Sequence, residues 1–289
     1  MNAWRKDIAA WAIGKTLHMS VVFSWDVERA VAMAREATKA GQPVIVGGPA
    51  AMLNREAFDG VAEVRDHCDE VEPVLFHNPL ASCSSRGCIR RCPFCVVPDV
   101  EGELRQFFPF RPAPMMYDNN FLATTRGHQI QVVDALRQFD EVDFNQGLDA
   151  RLFTPEAADN LGRLRLHARF AFDHANEEAA VYDSVLLCRE RTTRTISVYV
   201  LIGFDDTPDE ARHRLELVRS WGIRPNPMRY QPKRSEHKDE FIAPGWTQEE
   251  LRRMMKYYSR LRWYEHIPYD EFRPPQEALF DMGAEVRAE

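Results

Sequence analysis

Three cysteines lie close together in the chain, at Cys88, Cys92 and Cys95, with the spacing C-x3-C-x2-C. Three thiolates at this spacing can bind three irons of a [4Fe-4S] cluster and leave the fourth iron without a protein ligand. An open metal position can bind a substrate or cofactor, which is the feature that separates catalytic from structural zinc sites. The segment 88–95, called the cysteine loop below, is therefore predicted to be a site of chemistry.

A structural zinc site is the alternative interpretation of the same cysteines. Such a site has four ligands, often as two separated pairs. Of the other cysteines, Cys68, Cys83 and Cys188, only Cys83 is near the loop, and it falls within an apparent strand. His77 is another possible fourth ligand. If one of these residues completes a zinc site, the protein is instead predicted to be a zinc-bearing nucleic-acid-binding module without catalysis.

The residues around the cysteines resemble the signature of the radical S-adenosylmethionine (radical SAM) superfamily. Phe94 precedes the last cysteine, and Ser85-Arg86-Gly87 leads into the first, as in many members. The resemblance covers roughly residues 75–231. It implies a cluster whose open iron binds S-adenosylmethionine (SAM), reductive cleavage to a 5′-deoxyadenosyl radical, and hydrogen abstraction from a substrate. It also implies an electron donor of the flavodoxin or ferredoxin type.

Six apolar segments that alternate with helical patterns predict a parallel α/β sheet with helices outside. The predicted strands cover residues 80–85, 114–117, 142–146, 166–172, 195–202 and 223–231. Thr154-Pro155 and Thr207 to Glu210 are start signals for two of the helices. By the family resemblance, the six units form a partial (β/α)6 TIM-like barrel. Reactive groups of parallel barrels collect at the carboxyl ends of the strands.

Three regions are expected along the chain. Residues 1–75, with a strand at 17–24, a helix ending at Gly41 and a strand at 43–49, resemble a shortened Rossmann-like βαβ extension of cobalamin-binding radical SAM enzymes. The cobalt-ligating motif of those enzymes, D-x-H-x-x-G, is absent, so cobalamin is not expected. Residues 76–232 are the predicted radical SAM barrel, and residues 233–289 are a basic, aromatic helical extension.

Polar residues follow several of the predicted strands and are candidates for the site. By the resemblance, the candidates for cofactor binding are Phe94, Asp118, Asn119, Asn120, Asp173, Ile202 and Gly203. The stretch 118–120 stands where the family has a GGE motif that binds the ammonium of SAM, and carboxylate or amide oxygens can accept from an ammonium. An Asx turn at 118–120 and a helix cap at Asp173 are the alternatives. The candidates for catalysis are Gln146, Asp149, Arg151 and Tyr230.

The C-terminal region is basic and aromatic. Residues 224–264 contain ten Lys or Arg and five Asp or Glu, in a chain whose net charge is −7. Tyr257, Tyr258, Trp263 and Tyr264 are interleaved with these charges. Such a helix can bind a nucleic-acid backbone and stack on bases. Alternatively, it closes the open side of the barrel and uses its aromatic side chains for packing.

The segments 226–232, 257–261 and 266–272 resemble the tails of short radical SAM proteins encoded by bacteriophages and prophages. Some of that group are implicated in hypermodification of thymine in phage DNA, including rearrangement of an amino-acid-substituted base. The resemblance implies a nucleotide or DNA-base substrate and an isomerase-like reaction. Modification of a tRNA or a peptide is the alternative, although the chain lacks the additional cysteine-rich regions that such enzymes usually carry.

The composition is typical of a globular protein, with 289 residues, 45% hydrophobic and 28% charged. No apolar run approaches the roughly 18 residues that a membrane-spanning helix needs. The N-terminus lacks the apolar core of a signal peptide, and unpaired cysteines suit a reducing compartment. We therefore expect a cytoplasmic protein without a membrane partner, in the host cytoplasm if a phage encodes it.

Overall fold

The computed structural model describes residues 4, 8–68, 70–191 and 195–274. Its strands form sheets of four, six and two strands. The strands are β1 (Ala9–Ile13), β2 (Thr16–Ser20), β3 (Val44–Gly47), β4 (Glu63–Val64), β5 (Ala81–Ser82), β6 (Ser85–Arg86), β7 (Arg105–Gln106), β8 (Met115–Met116), β9 (Val142–Phe144), β10 (Leu166–Ala171), β11 (Ile196–Ile202) and β12 (Pro225–Arg229). The helices are α1 (Val27–Lys39), α2 (Pro49–Leu53), α3 (Val74–His77), α4 (Val97–Val100), α5 (Arg126–Leu136), α6 (Pro155–Leu161), α7 (Glu178–Arg191), α8 (Pro208–Ser220), α9 (Gln248–Ser259) and α10 (Leu261–Tyr264).

The six-stranded sheet has the order β5-β8-β9-β10-β11-β12, and all neighbouring strands in it are parallel. From β8 to β12, a helix connects each strand to the next one, so each strand starts at the same end of the sheet. This confirms the predicted mixed α/β class with a parallel sheet. The carboxyl ends of the six strands share one edge, so the loops that follow them are neighbours.

The predicted helix starts are confirmed by their hydrogen bonds. Thr154 accepts from the Ala157 amide at the start of α6, with proline in the first turn. Thr207 and Glu210 form a reciprocal capping box at the start of α8. A second such box, Thr247 with Glu250, begins α9. These contacts satisfy amides that have no partner within the helix, and so they fix where each helix begins.

The N-terminal sheet has the order β1-β2-β3-β4 and packs on its own apolar cluster. The predicted strand–helix–strand unit is present, since α1 joins the parallel strands β2 and β3. The hairpin of β1 with β2 was not expected. Three of the five β1 residues are alanine, which has low strand propensity. Pairing with β2 therefore outweighs the local preference of the segment.

The first predicted barrel strand, residues 80–85, is divided in the structure. β5 belongs to the main sheet, whereas β6 forms a two-stranded hairpin with β7. Cys83 and Ser84 lie between the two strands. The physical reason is that the Ser84 amide donates to a carboxylate oxygen of Asp118 at 3.0 Å instead of to a neighbouring strand. This interruption turns the chain toward the cysteine loop.

The C-terminal helix α9 packs against β12 and α8. Tyr257 and Tyr258 are fully buried, whereas Trp263 is 69% exposed. The two tyrosines therefore support the packing interpretation of this region. Among the described residues, no helix combines the length and the apolar character needed to cross a membrane.

Candidate active site

The cysteine loop lies in the connection between β6 and β7, and the antiparallel pairing of these strands holds the two ends of that connection together. The Cys88 amide donates to the Gly102 carbonyl at 3.2 Å, next to the pairing of β6 with β7. Gly87 has a φ of +81°, and a Cβ atom there would lie 2.1 Å from the Glu103 carbonyl oxygen. A side chain fits neither this backbone conformation nor this space. Glycine therefore fixes the direction in which the chain enters the loop.

Backbone and side-chain N–H groups donate to the sulfurs of the loop, whose three cysteines are half-buried. Cys88 Sγ accepts from the Arg90 amide at 3.3 Å and from Asn120 Nδ2 at 3.5 Å. Cys95 interacts in the same way with the backbone of Val97. Hydrogen bonds of this kind tune iron–sulfur clusters, so the environment of the sulfurs suits anionic thiolate ligands.

The neighbouring thiols influence the ionisation of Cys92 and Cys95. Burial raises the pKa of Cys92, and Cys95 and Cys88 raise it further against the effect of Arg151. Burial also raises the pKa of Cys95, while Lys233 is among the groups that lower it. Ligands must be deprotonated to bind a metal. The protons of these thiols are therefore displaced when a metal or a cluster binds.

Neither expected fourth zinc ligand reaches the loop. Cys83 forms a hydrogen bond with Tyr117, and burial raises the pKa of this cysteine to about 11. His77 Nε2 lies 2.9 Å from Ser20 Oγ in the N-terminal sheet. No three His, Cys, Asp or Glu side chains of the described residues converge on one metal position. Zinc needs such convergence, whereas the three cysteines of a cluster each bind a different iron.

Asp118 and Asn119, which follow β8, form hydrogen bonds with the residues that lead into the cysteine loop. Asp118 Oδ1 accepts from Ser84 Oγ at 2.9 Å and from Ser85 Oγ at 2.6 Å. Asn119 Oδ1 accepts from the Gly87 amide at 3.0 Å. Burial raises the pKa of Asp118 despite its serine hydrogen bonds. These contacts account for Asn119 Oδ1 and for one oxygen of Asp118, whereas Asp118 Oδ2 is buried and has no hydrogen-bond partner among the described residues. The predicted contact of both side chains with a cofactor stays a prediction.

Asn120, the third residue, lies against the loop itself. Its Nδ2 donates to Asp149 Oδ2 at 3.1 Å in addition to Cys88 Sγ. Its Oδ1 is buried and has no hydrogen-bond partner among the described residues. A buried acceptor without a partner costs about 1–3 kcal/mol. A bound molecule with an N–H group would remove that cost.

The residues after β9 connect the sheet to the loop. The Asp149 side chain is 5% exposed and accepts from Arg90 Nε at 3.0 Å and Arg151 Nε at 2.7 Å. Burial alone would raise the pKa of Asp149, but the two guanidinium groups outweigh it and lower the pKa. Arg151 Nη1 also contacts Glu177 Oε1 at 2.9 Å. Gln146, in contrast, is exposed.

Asp173 follows β10 beside a cleft of about 260 Å³ at the ends of β9 and β10. Burial, followed by the charge of Glu177, raises the pKa of Asp173 to about 7, against the effects of Arg214 and Arg151. The helix-cap interpretation of this residue is wrong, because His174 is the side chain that caps the following turn. Asp173 is therefore a half-buried carboxyl group with a pKa raised to about 7 beside the cysteine loop.

An aromatic series joins the cysteine loop to the ends of β11 and β12. The ring centroids of Phe94 and Phe204 are 5.5 Å apart, those of Phe204 and Tyr230 are 4.7 Å apart, and those of Tyr230 and Phe241 are 5.3 Å apart. All three pairs meet edge to face, a favourable arrangement for aromatic rings. Each ring is only partly buried, so the series forms part of the wall of the site.

Ile202 and Gly203, also predicted to bind the cofactor, have structural contacts of their own. Ile202 is fully buried, and its carbonyl accepts from the Tyr230 amide at 2.9 Å. The Gly203 amide donates to Asp206 Oδ1 at 2.9 Å. A Cβ on Gly203 would lie 2.8 Å from Leu251 Cδ2 of α9. Their predicted role toward the cofactor stays a prediction.

The sequence matches no protein-family model and no curated protein. Among solved structures, the chain is similar to the radical S-adenosylmethionine methyltransferase TsrM from Kitasatospora setae, solved with cobalamin and a [4Fe-4S] cluster bound. The likeness is one of fold. The TM-score is 0.50 and the identity 14%, over 73% of this chain and 60% of TsrM. The chain therefore spans less than two thirds of TsrM and shares its α/β fold over the matched part.

Lys233 reaches the cysteine loop from outside the predicted barrel, a contact that the sequence did not reveal. Its Nζ lies 2.6 Å from Asp99 Oδ2 in α4, and its carbonyl accepts from Ser24 Oγ at 2.6 Å. The next residue, Arg234, contacts Glu56 at 2.7 Å. These partners are at least 134 positions away in the chain, so no local pattern indicates them. The segment connects the N-terminal region, at Ser24 and Glu56, with α4, the helix that follows the cysteine loop.

Proposed function

We propose that this protein is a radical SAM enzyme built on a partial (β/α)6 barrel. The observation that carries the proposal is the cysteine loop, in which three half-buried thiols lie at the carboxyl edge of a parallel sheet and two of them, Cys88 and Cys95, receive N–H donors. The fold likeness to a radical SAM methyltransferase supports it. A four-iron cluster fits this donor set because three protein thiolates suffice when a cofactor takes the remaining iron.

In this proposal, Cys88, Cys92 and Cys95 hold the cluster. When bound, the cluster supplies the electron that cleaves SAM to methionine and a 5′-deoxyadenosyl radical. Asn120 Oδ1, the buried acceptor without a partner, accepts from the ammonium of SAM. The aromatic series that begins at Phe94 excludes water from one side of the site.

For the substrate, we propose a nucleotide or DNA base that undergoes an isomerase-like rearrangement. The resemblance to the tails of phage-encoded proteins supports this class. The partly exposed rings of Phe204 and Tyr230 also support it, because aromatic side chains stack on bases of any sequence. The electron comes from a donor protein of the flavodoxin or ferredoxin type. Modification of a tRNA or a peptide is the alternative outcome.

Anaerobic reconstitution tests the chemistry. Purified protein is supplied with iron and sulfide, reduced with dithionite and mixed with SAM. We expect about four irons per chain, together with release of 5′-deoxyadenosine. The C68S variant is the matched control, because Cys68 lies near the N-terminal sheet with its sulfur 3.3 Å from Glu70 Oε2. A colourless protein that binds one zinc tightly and makes no 5′-deoxyadenosine would refute the proposal.

Mass spectrometry of nucleosides tests the substrate class. DNA is compared from cells with the intact protein and from cells with a variant that lacks Cys88. We expect a modified deoxynucleoside to change in amount between the two. Identical DNA nucleoside profiles together with a difference in tRNA nucleosides would overturn the DNA-base proposal and support modification of tRNA.

A further inference from the structure

We propose that Asn120 and Asp149 form a positioning pair that fixes Cys88 and raises the reduction potential of the cluster through an N–H to sulfur hydrogen bond. The inference rests on the proposed function, because it assigns Cys88 to a cluster. It concerns side chains that do not bind the metal. Their contribution is to orient one ligand and to place the partial positive charge of an N–H hydrogen beside its sulfur.

The geometry gives the Asn120 amide two acceptors on the same nitrogen. Nδ2 lies 3.1 Å from Asp149 Oδ2 and 3.5 Å from Cys88 Sγ. An amide nitrogen carries two hydrogens, so both bonds form at once. Asn120 is 4% exposed, and water therefore does not compete for either hydrogen.

The orientation of the amide follows from the charge of its partner. An ionised carboxylate only accepts hydrogen bonds, and Asp149 is held ionised by Arg90 and Arg151. The amide must therefore turn its nitrogen, and not its oxygen, toward Asp149. The second hydrogen then faces Cys88, while Oδ1 faces away without a partner. The orphaned oxygen is thus a consequence of the orientation that serves the sulfur.

The same carboxylate restrains the loop at a second point. Asp149 Oδ2 accepts from Arg90 Nε at 3.0 Å, and the Arg90 amide donates to Cys88 Sγ at 3.3 Å. Asp149 therefore contacts both residues that donate to this sulfur. These are Arg90 in the cysteine loop and Asn120, which follows β8. The loop, the end of β8 and the end of β9 meet at a single buried carboxylate.

The expected effect follows from the charge of a reduced cluster. An added electron increases negative charge on the thiolate sulfurs, and N–H donors stabilise that charge. Second-shell hydrogen bonds are an established means of tuning metal sites. Loss of the Asn120 donor should therefore lower the potential, which makes the cluster harder to reduce.

The test measures the potential of the reconstituted cluster by a redox titration that is followed by electron paramagnetic resonance, without SAM or substrate. The N120L variant removes both hydrogens at similar volume, and N120A removes them without adding bulk or charge. We expect both to bind iron as the unmodified protein does and to have lower potentials. The N226L variant is the matched control, because Asn226 lies in β12 and donates to Arg224 O at 3.3 Å. Its potential should be unchanged.

The outcomes separate the two proposals. If the unmodified protein assembles no four-iron cluster, the proposed function fails. If the cluster assembles and N120L keeps the original potential, the positioning pair is wrong. Should N120L lose its iron, N120A decides: a lower potential supports the inference, and an unchanged or higher potential overturns it.

Discussion

The cysteine loop and the C-terminal helices α9 and α10 are both basic and aromatic in sequence, but their side chains behave differently. In the helices, the Tyr257 hydroxyl donates to the Ile267 carbonyl at 2.8 Å, and the Tyr258 hydroxyl lies 2.6 Å from Glu216 Oε1. At the loop, the thiols are half-buried and Asn120 Oδ1 has no partner among the described residues. These two tyrosine hydroxyls have partners within the chain, whereas a buried acceptor beside the loop is left for another molecule.

An unsatisfied atom is informative only together with its surroundings. Arg253 Nε in α9 is also buried without a partner. Its guanidinium carbon, however, lies 4.5 Å from the centre of the Tyr269 ring, where a cation is stabilised. Asn120 Oδ1 lies instead beside a cysteine and an ionised carboxylate. The comparison shows that charged and aromatic composition does not locate a site, while unmatched polar atoms next to reactive groups do.

The largest effect is expected at the cluster ligands. Replacing Cys88, Cys92 or Cys95 by serine should abolish stable binding of the four-iron cluster, because two thiolates leave two irons without protein ligands. Iron and sulfide analysis after anaerobic reconstitution measures this. Retention of a full cluster in any of the three variants would remove the contrast between the loop and the helices.

A large effect on stability, but not on iron, is expected in the helices. Tyr257→Ala should lower the free energy of unfolding by about 3 kcal/mol or more, because it leaves a cavity in the core. Tyr257→Phe, the control, loses only the hydrogen bond to Ile267, which is worth about 1 kcal/mol. Urea unfolding of the metal-free variants gives both values. Loss of iron binding in a folded Tyr257→Ala protein would contradict the division of roles.

A pH-dependent effect is expected at Asp173. Its pKa is raised from the ordinary value to about 7, so the folded state binds this proton more tightly than the unfolded state. The residue therefore lowers stability progressively as pH rises from about 4 to about 7. Asp173→Asn removes this loss, so relative to the unmodified protein the free energy of unfolding of the variant should rise by on the order of 4 kcal/mol over that range.

Urea unfolding of both metal-free proteins at pH 5 and pH 8 measures the difference. Other titrating groups are common to the two proteins and cancel in the comparison. A constant difference in stability between the two pH values would show that Asp173 keeps an ordinary pKa.

The smallest effect is expected at the exposed end of the helices. Trp263 is 69% exposed, so Trp263→Ala should change the free energy of unfolding by no more than about 0.5 kcal/mol. Urea unfolding checks this beside Tyr257→Ala. If Trp263→Ala lowered the free energy of unfolding as much as Tyr257→Ala, the exposure of an aromatic side chain in this region would not predict its contribution to stability.

The order of strands and helices could be predicted from the sequence because their signals are local. Capping residues such as Thr207 and Glu210 lie next to the helix that they begin. The pairing of β1 with β2 and that of β6 with β7 join short segments of two to five residues. Such segments are too short for hydrophobic periodicity to predict their pairing.

The cysteine ligands were visible in the sequence because their spacing is itself the signal. The roles of residues 118–120 were not, because their partners are about 30 positions away. The sequence predicted all three beside a cofactor, which stays a prediction. The structure adds that Asp118 and Asn119 form hydrogen bonds with the residues that lead into the loop. Only the folded chain shows that Asn120 faces Cys88.

Gly87 imposes a restriction on how this protein can vary. The Glu103 carbonyl occupies the volume of any larger residue at position 87, and the positive φ disfavours every chiral amino acid there. Random mutagenesis of this codon, scored by iron retention, should recover glycine alone. The same screen at Ile89, which is 55% exposed, should tolerate many residues, so neighbouring positions of one loop differ sharply in their freedom to change.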